Sequence, residues 1–428
     1  MLWGIIFAKI VELRKLFVFL GDYYHAERGT CCMTSERNHS PVKAKMVQQR
    51  FNLISAHSIS PNIPHEDALL LQTANGYKLL PLKPNVNKIY LEVTSLCNFD
   101  CQTCIRNSWD EPMGKMSTQV FSQIVRQLEE LPDLQCVHLG GFGEPLSHPE
   151  IFSFIETLKG KNLQVELITN GSLLNDACIE ELIHLRLDKL FVSLDGPDET
   201  EYNLIRQGGD FANVTANITR LKRRKAELQT KLPELAIEFV AMKKNFHCLP
   251  DLVKLIDKLG ASYLLVTNVL PYSEELKDEI LYDLDDSLPV FGNTSILSTL
   301  RARMPQMKLR TERYCKFIAD NALTITWDGQ VAPCYALMHT YTCYIYGRSK
   351  QIYPYHLGHV SESSLASIWQ NPEYVYFRSL VHDFSFPSCT DCKFLEGCNY
   401  PDNNQMDCWG NSPTCSDCLW SRGMIVCP

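Results

Sequence analysis

The chain has 428 residues, which is enough for two domains, and its composition of 45% hydrophobic and 21% charged residues is typical of a soluble globular protein. Its net charge of −8 argues against a nucleic-acid-binding protein, because such proteins usually carry a basic face. No nucleic acid is therefore expected among its partners.

The first 45 residues show no convincing targeting or membrane segment. The opening stretch MLWGIIFAKIVELRKLFVFL is interrupted by four charged residues, and no small-residue cleavage site follows it. Residues 1–45 are expected to be an extension ahead of the folded protein, and a surface amphipathic helix is the open alternative. The predicted location is cytoplasmic, where the 18 cysteines would serve as metal ligands rather than as disulfides.

The next segments predict a βα architecture. Residues 46–86 form a lead-in with a β-hairpin that turns at Asn75-Gly76. The predicted strands of the following domain (87–270) are 88–93, 136–140, 164–169, 189–194, 235–242 and 263–267. Helices are predicted around 117–130, 149–159, 174–186, 211–229 and 247–259. Because no G-x-G-x-x-G follows the first strand, an α/β barrel or partial barrel is favoured over a dinucleotide-binding sheet.

The remaining chain is predicted to be a linker and a cysteine-rich domain. Residues 271–314 are a polar, proline-containing linker with helical pieces. Residues 315–428 begin with a β-hairpin that turns at Asp328-Gly329 and continue as loops dense in cysteine and aromatic residues. Since these loops show little apolar periodicity, this domain is expected to fold around metal rather than around a conventional core.

Special residues follow each of the first four barrel strands, in CNFDCQTC (97–104), GGFGEP (140–145), TNG (169–171) and SLDG (193–196). Active sites of βα barrels lie at the carboxyl ends of the strands, so the four motifs are predicted to form one site. Three thiols spaced C-x3-C-x2-C suit a [4Fe-4S] cluster with one iron lacking a protein ligand. The alternative is a zinc site completed by His138 or by another cysteine.

The motifs CNFDCQTC, GGFGEP and SLDG together resemble the signature of the radical S-adenosylmethionine (SAM) superfamily, whose core is a partial (β/α)6 barrel. The resemblance implies that Cys97, Cys101 and Cys104 hold a [4Fe-4S] cluster whose open iron binds SAM. Reduction of that cluster would cleave SAM and give a 5′-deoxyadenosyl radical that abstracts hydrogen from a substrate. Thr103 departs from the family, which usually has an aromatic residue before the last cysteine.

The resemblance also implies a set of SAM contacts. Glu144 and backbone carbonyls of GGFGEP would accept hydrogen bonds from the methionine ammonium, and Ser193 with Asp195 would meet the ribose or the ammonium. Arg206 would pair with the carboxylate, which suits a guanidinium. The complete candidate set is Gly140, Gly141, Gly143, Glu144, Pro145, Asn170, Ser193, Asp195 and Arg206.

The second cysteine field resembles the SPASM domain, which binds one or two auxiliary [4Fe-4S] clusters. The resemblance lies in Cys315, in Gly329-x4-Cys334 and in Cys389-x2-Cys392-x5-Cys398. A zinc ribbon is the alternative. The family's ligation implies one cluster on Cys315, Cys334 and Cys408, and another on Cys389, Cys392, Cys398 and Cys418.

The last auxiliary ligands are left open by the sequence. Asp402 stands where the family has a cysteine, and Cys415 competes with Cys418 for the final ligand position. Cys343 and Cys427 are left open as further ligands, although they match neither cluster pattern firmly.

Three stretches carry a narrower resemblance, namely CNFDCQTCIRNSW, ITWDGQVAPCYALMHTY and DCWGNSPTCSDCLWSRGMIVCP. They resemble the radical SAM/SPASM maturases associated with tungsten-containing aldehyde ferredoxin oxidoreductases. The implied partners are a reductant such as ferredoxin or flavodoxin and, as substrate, the tungsten oxidoreductase or its pterin cofactor.

Other activities remain open at this stage. Tyr335 follows Cys334 where anaerobic sulfatase maturases have a catalytic aspartate, which counts against formylglycine formation. One alternative is a peptide-modifying SPASM enzyme that forms a thioether or C–C crosslink. The other is a non-catalytic iron–sulfur or zinc scaffold.

Overall fold

A computed structural model describes residues 68–73, 76–282, 301–305 and 313–428 of the chain. The lead-in hairpin is confirmed, because β1 (Ala68–Thr73) pairs antiparallel with β2 (Gly76–Pro81). The predicted extension at 1–45 lies outside the described residues, as do residues 74–75. No helix in the described ranges is long and apolar enough to span a bilayer.

Six parallel strands follow one another in sequence order across the main sheet. They are β3 (Lys88–Glu92), β4 (Cys136–Gly140), β5 (Gln164–Thr169), β6 (Lys189–Ser193), β7 (Glu234–Ala241) and β8 (Tyr263–Asn268). All six predicted strands are confirmed, with ends that differ by about one residue. Their apolar side chains form the largest buried cluster, as expected for a parallel sheet covered by helices.

The helices between these strands are α1 (Thr118–Gln127), α2 (Ile151–Gly160), α3 (Asp176–His184), α4 (Glu199–Ile205), α5 (Phe211–Glu227) and α6 (Leu249–Leu259). Side chains cap several amino termini: Ser117 accepts the N–H of Val120, and Asn175 accepts that of Cys178. All but α4 were predicted. The seven residues of α4 are too few to show a clear helical period.

Both ends of the sheet extend beyond the barrel strands. β9 (Arg301–Arg303), within the predicted linker, pairs parallel with β8. On the other side, the predicted C-terminal hairpin is formed by β10 (Ala322–Ile325) and β11 (Gln330–Ala332), and β10 pairs parallel with β3. β14 (Gly358–His359) then pairs with β11 and completes a ten-stranded sheet. The cysteine-rich region is thus joined to the barrel by main-chain hydrogen bonds.

The cysteine-rich region also has a conventional core, which corrects the expectation that it folds around metal alone. After α7 (Lys316–Ala319) and the hairpin β12 (Tyr341–Ile345) with β13 (Arg348–Ile352), it forms α8 (Leu365–Gln370) and α9 (Pro372–His382). Trp369 and Tyr374 of these helices are almost fully buried in the main cluster. Periodicity fails only from residue 389 onward, where the chain forms loops and short 3-10 turns.

Candidate functional site

The four predicted motifs meet at the carboxyl ends of β3 to β6, around a cavity of about 260 Å³. The predicted residues that line it are Cys97, Cys101, Cys104, Gly141, Gly143, Glu144, Asn170, Ser193 and Arg206. Gly140, Pro145 and Asp195 are not among its lining residues. One cavity therefore holds the three thiols and most of the predicted SAM contacts.

Two arginines direct their guanidinium groups at the thiols. Arg106 Nε donates to Cys104 Sγ at 3.1 Å, and Arg206 Nη1 donates to Cys101 Sγ at 3.9 Å. Burial raises the pKa of Cys101, and the positive charge of Arg206 opposes this rise. Because a positive charge and an N–H donor stabilise a thiolate, these contacts favour the form of cysteine that binds iron.

The third thiol has neutral N–H donors. Cys97 Sγ accepts the backbone N–H of Phe99 at 3.4 Å and lies 3.9 Å from Nδ2 of Asn170. Burial raises the pKa of this thiol, and the Phe99 N–H and the charge of Arg106 act in the opposite direction. Hydrogen bonds of this kind tune the electronic properties of metal ligands.

In the described part of the chain, no three His, Cys, Asp or Glu side chains are grouped closely enough to share one metal ion. His138, the proposed fourth zinc ligand, directs its Nδ1 at Glu166 Oε2 at 3.3 Å. A cubane cluster takes one thiolate per iron, so its ligands lie farther apart than the ligands of one ion. The residues present fit the cluster.

The glycines of GGFGEP allow their loop to press against the cysteine loop. A Cβ on Gly143 would lie 2.3 Å from the carbonyl oxygen of Thr94 and 2.5 Å from that of Leu96. Gly141 has φ +98°, a conformation that side chains disfavour. Only glycine therefore lets the two loops form one wall of the cavity.

Glu144 is tied to its neighbours by three donors. Its carboxylate accepts the N–H of Leu146 at 2.9 Å, the hydroxyl of Thr169 at 2.8 Å and the N–H of Asn170 at 2.7 Å. It is almost fully buried, and burial raises its pKa. Glu144 thus joins the loop after β4 to the end of β5, as well as lining the cavity.

Asp195 lies behind Arg206 rather than in the cavity. Its Oδ2 accepts Arg206 Nε at 2.6 Å, and its Oδ1 accepts the N–H of Val240 at 2.7 Å. It is fully buried. The structure therefore does not bring Asp195 to the position expected for a ribose or ammonium contact, because both of its oxygens hold protein groups.

Several lining residues were not anticipated. Glu238 on β7 lies 3.4 Å from the hydroxyl of Ser193, and burial raises its pKa to about 7. A carboxylate in the middle of the otherwise apolar part of the strand ELAIEFVA is a signal for it. Asn268, Trp420 and Cys427 also line the cavity, and only a long-range contact between the chain's end and the barrel brings the last two there.

Four cysteines of the second field form a group of their own. The thiols of Cys315, Cys334 and Cys415 all interact electrostatically with one another and with Cys418. Three of them line a cavity of about 40 Å³. This grouping differs from the expected ligation, in which Cys408 joins the first two thiols and Cys418 belongs to the other cluster. Cys415 and Cys418 come together because one turn links them, with Cys418 N donating to Cys415 O at 3.3 Å.

Backbone N–H groups surround these sulfurs as well. Cys315 has hydrogen bonds from Phe317 and Ile318, and Cys418 has them from Trp420 and Ser421. Burial raises the pKa of both thiols, and these donors oppose that rise. Four partly buried thiols with amide donors around a small cavity fit an auxiliary cluster.

The remaining candidate ligands of an auxiliary cluster lie in the loops of residues 389–408. Cys389 is buried, Cys392 is exposed, and Cys398 and Cys408 are partly exposed. Cys389 lies near the charged side chains of Asp407 and Asp417.

Comparisons with known proteins identify the family of the chain. A family model for the radical SAM superfamily matches residues 91–232, and the SPASM model, an iron-sulfur cluster-binding domain, matches residues 315–393. A curated relative from Pyrococcus furiosus is 37% identical over 344 residues, which is 79% of this chain and 96% of that protein. The chain therefore belongs to the radical SAM superfamily, and its cofactors are SAM and [4Fe-4S] clusters.

That relative is a tungsten-containing aldehyde ferredoxin oxidoreductase cofactor-modifying protein. A PqqA peptide cyclase from Bradyrhizobium diazoefficiens is 25% identical over 331 residues, covering 72% of this chain and 79% of that protein. Among solved structures, anSMEcpe with bound AdoMet aligns with a TM-score of 0.51 and 20% identity, over 73% of this chain and 87% of the other. The last likeness shows a shared fold.

Proposed function

We propose that this radical SAM enzyme modifies or matures a tungsten-containing aldehyde ferredoxin oxidoreductase or its tungstopterin cofactor. The observation that supports this most is the 37% identity over 96% of the length of the Pyrococcus furiosus cofactor-modifying protein. An alignment of that length includes the cysteine-rich region as well as the barrel. The proposal keeps the predicted division into a barrel (87–270), a linker (271–314) and a SPASM domain (315–428).

SAM, reduced by one electron through its cluster, supplies a 5′-deoxyadenosyl radical. We assign that cluster to Cys97, Cys101 and Cys104, because all three line the cavity and each sulfur accepts an N–H. Arg206, held by Asp195, keeps N–H groups available for a carboxylate. Ser193 and Asn170 provide polar groups on the same wall.

We assign one auxiliary cluster to the group of Cys315, Cys334, Cys415 and Cys418, and a second to Cys389, Cys392, Cys398 and Cys408. The exposure of Cys392 would bring the second cluster to the surface, where a ferredoxin or flavodoxin can deliver electrons. The cytoplasmic location inferred from cysteine usage belongs to the same proposal.

The substrate assignment is tested by stimulation of SAM cleavage. Anaerobically reconstituted protein is incubated with SAM and dithionite, together with either the unmodified tungsten oxidoreductase or a short precursor peptide. We expect the oxidoreductase to increase 5′-deoxyadenosine formation and to show a mass change in the protein or its cofactor. Stimulation by the peptide alone would assign a peptide-modifying function instead.

A further inference from the structure

The end of the chain separates the SAM cavity from a second cavity of about 370 Å³. Four residues of this end segment line both cavities, namely Trp420, Ile425, Val426 and Cys427. The second cavity is bordered on its other side by Tyr90, Arg303, Tyr314 and Lys316. These four residues form a partition between the two cavities. The thiol of Cys427, which matches neither cluster pattern firmly, therefore lies in this partition.

The partition is held in place by the strand ends. Asn268 Nδ2 donates to Met424 O at 3.0 Å, and Val426 N donates to Thr267 Oγ1 at 2.9 Å. Arg303 Nη1 donates to Cys427 O at 3.1 Å. Contacts from β8 and from β9 thus fix the segment on both sides of the thiol.

The thiol itself is oriented and protonated. Trp420 Nε1 donates to Cys427 Sγ at 3.2 Å. Burial raises the pKa of Cys427 to about 12, which the Trp420 N–H only partly opposes. At neutral pH the sulfur therefore carries its hydrogen, and an S–H bond is weaker than the C–H bonds of a methyl group.

A second observation points to a ligand on the SAM side of the partition. Asn268 has only 2% of its surface exposed and lines the SAM cavity, yet its Oδ1 has no hydrogen-bond partner among the described residues. A buried amide oxygen without a donor is unfavourable, so a bound molecule that donates to it would be favoured. Asn268 is held by Met424, three residues before Cys427.

We propose that Cys427 is a catalytic thiol that passes a hydrogen atom between the two cavities, from a substrate in the second cavity to the SAM-derived radical in the first. This rests on the proposed radical SAM activity. Cys427 gives its hydrogen to the 5′ carbon, so that its S–H bond breaks and a C–H bond forms. The sulfur radical then takes hydrogen from the substrate, so that S–H forms again and the substrate C–H breaks. These two hydrogen transfers are redox-neutral, because the unpaired electron passes from the 5′ carbon to the sulfur and then to the substrate carbon.

The strength of the S–H bond limits the substrate class. A sulfur-centred radical can abstract hydrogen only from a weakened C–H bond, such as one beside a nitrogen, an oxygen or a carbonyl group. The described lining of the second cavity includes Arg303 and Lys316 and no acidic side chain, although Lys316 is paired with Asp320.

The relay is tested with solvent deuterium, because a thiol exchanges its hydrogen with water and a carbon does not. Reconstituted protein equilibrated in D2O is given SAM and dithionite, and the mass of the 5′-deoxyadenosine is measured. We expect wild type to give singly deuterated product. In the 5′-deoxyadenosine that Cys427→Ser and Cys427→Ala form, the deuterium content should be lower by about tenfold or more. Cys178→Ala, a buried cysteine of α3 outside both cavities, serves as the matched control.

Deuterium retained in both Cys427 variants, or absent from the wild-type product, would overturn the relay while leaving SAM cleavage intact. Absence of 5′-deoxyadenosine from wild type would overturn the proposed function itself. A readout without turnover is alkylation by iodoacetamide, mapped by peptide mass spectrometry. Cys427 should label about tenfold faster than Cys178, and SAM should slow it. Equal labelling of the two thiols would contradict access from the cavities.

Discussion

Arg106 and Arg206 give the cysteine loop its charge environment, and neither acts alone. Arg106 also donates to the carbonyl oxygens of Ser95 at 3.0 Å and Phe99 at 3.2 Å. These two contacts fix the segment 95–99, which contains the first cysteine of the motif. Arg206 is held by Asp195, which is fully buried. At the scale of single residues, the site is thus a set of thiols positioned by charged side chains that do not themselves bind metal.

Replacing Asp195 tests this support. Asp195→Asn leaves the Arg206 guanidinium buried without its counter-charge, so we expect a loss of unfolding free energy of about 3–5 kcal/mol and weaker SAM binding. Urea unfolding and equilibrium dialysis of SAM measure the two effects. Asp198→Asn is the matched control: Asp198 caps α4 by accepting the Glu201 N–H at 3.1 Å, and asparagine caps equally well. Equal stability of both variants would contradict a supporting role for Asp195.

At the scale of elements, two loops after β3 and β4 form the wall of the cavity. The two loops pack closely because Gly143 has no side chain to separate their main chains. The Glu144 N–H donates to Leu96 O at 2.8 Å across this contact. The first cysteine of the cluster motif follows Leu96 directly. The glycine loop therefore sets the position of the cysteine loop.

A methyl group at Gly143 should separate these loops. Because the obstructing atoms are main-chain carbonyls, we expect Gly143→Ala to reduce 5′-deoxyadenosine formation by about tenfold or more, with iron on the auxiliary clusters retained. The matched control is Gly160→Ala at the end of α2, where nothing lies within 4 Å of the added Cβ. That variant should keep activity and gain up to about 1 kcal/mol. Full activity of Gly143→Ala would refute this account of the wall.

The six strands could be predicted because each is a short apolar run between helical periods, as in KIYLE and CVHLG. β9 could not be predicted, since its sequence Arg-Ala-Arg has no strand signal and pairs only because β8 leaves an edge free. The pairing of β10 with β3 could not be predicted either, because more than two hundred residues separate the two strands. A local sequence pattern carries no information about which strand will pair with which.

The residues of the site likewise include some that the sequence predicts and some that it does not. Cysteine spacing gave Cys97, Cys101 and Cys104, and their shared cavity followed from their place after a strand. Spacing alone left the last auxiliary ligands open, and Cys415 and Cys418 enter the same group as Cys315 from a distant loop. The supporting roles of Arg106 and Asp195 depend on hydrogen bonds that no motif records.

At the scale of the whole molecule, an ionic triad around the buried His339 joins the barrel to the cysteine-rich region. His339 Nε2 lies 3.0 Å from Glu92 of β3, and its Nδ1 lies 2.9 Å from Glu111 in the segment after the cluster loop. Trp109 stacks on the imidazole at 4.1 Å. Burial lowers the pKa of His339, but the two carboxylates more than offset this and raise it to about 9.

This triad predicts a pH dependence of stability. Since the folded pKa is raised from 6.5 to about 9, the contribution is complete below pH 6.5 and is lost as the pH rises through 9. The loss should be about 3 kcal/mol, measured by urea unfolding at a series of pH values. His339→Gln should remove this slope, whereas His359→Gln, at a partly exposed site, should retain it. An unchanged slope in His339→Gln would contradict the role of the triad.

The central claim is that the three thiols of the first motif hold the cluster that cleaves SAM. The most direct measurement is 5′-deoxyadenosine formed from SAM and dithionite by anaerobically reconstituted wild type, Cys97→Ala and the control Cys178→Ala, with iron and zinc per chain determined in parallel. The account predicts product from wild type and the control, and none from Cys97→Ala, which should keep the iron of its auxiliary clusters. Product from Cys97→Ala, or a wild type that binds zinc in place of iron and forms no product, would contradict it.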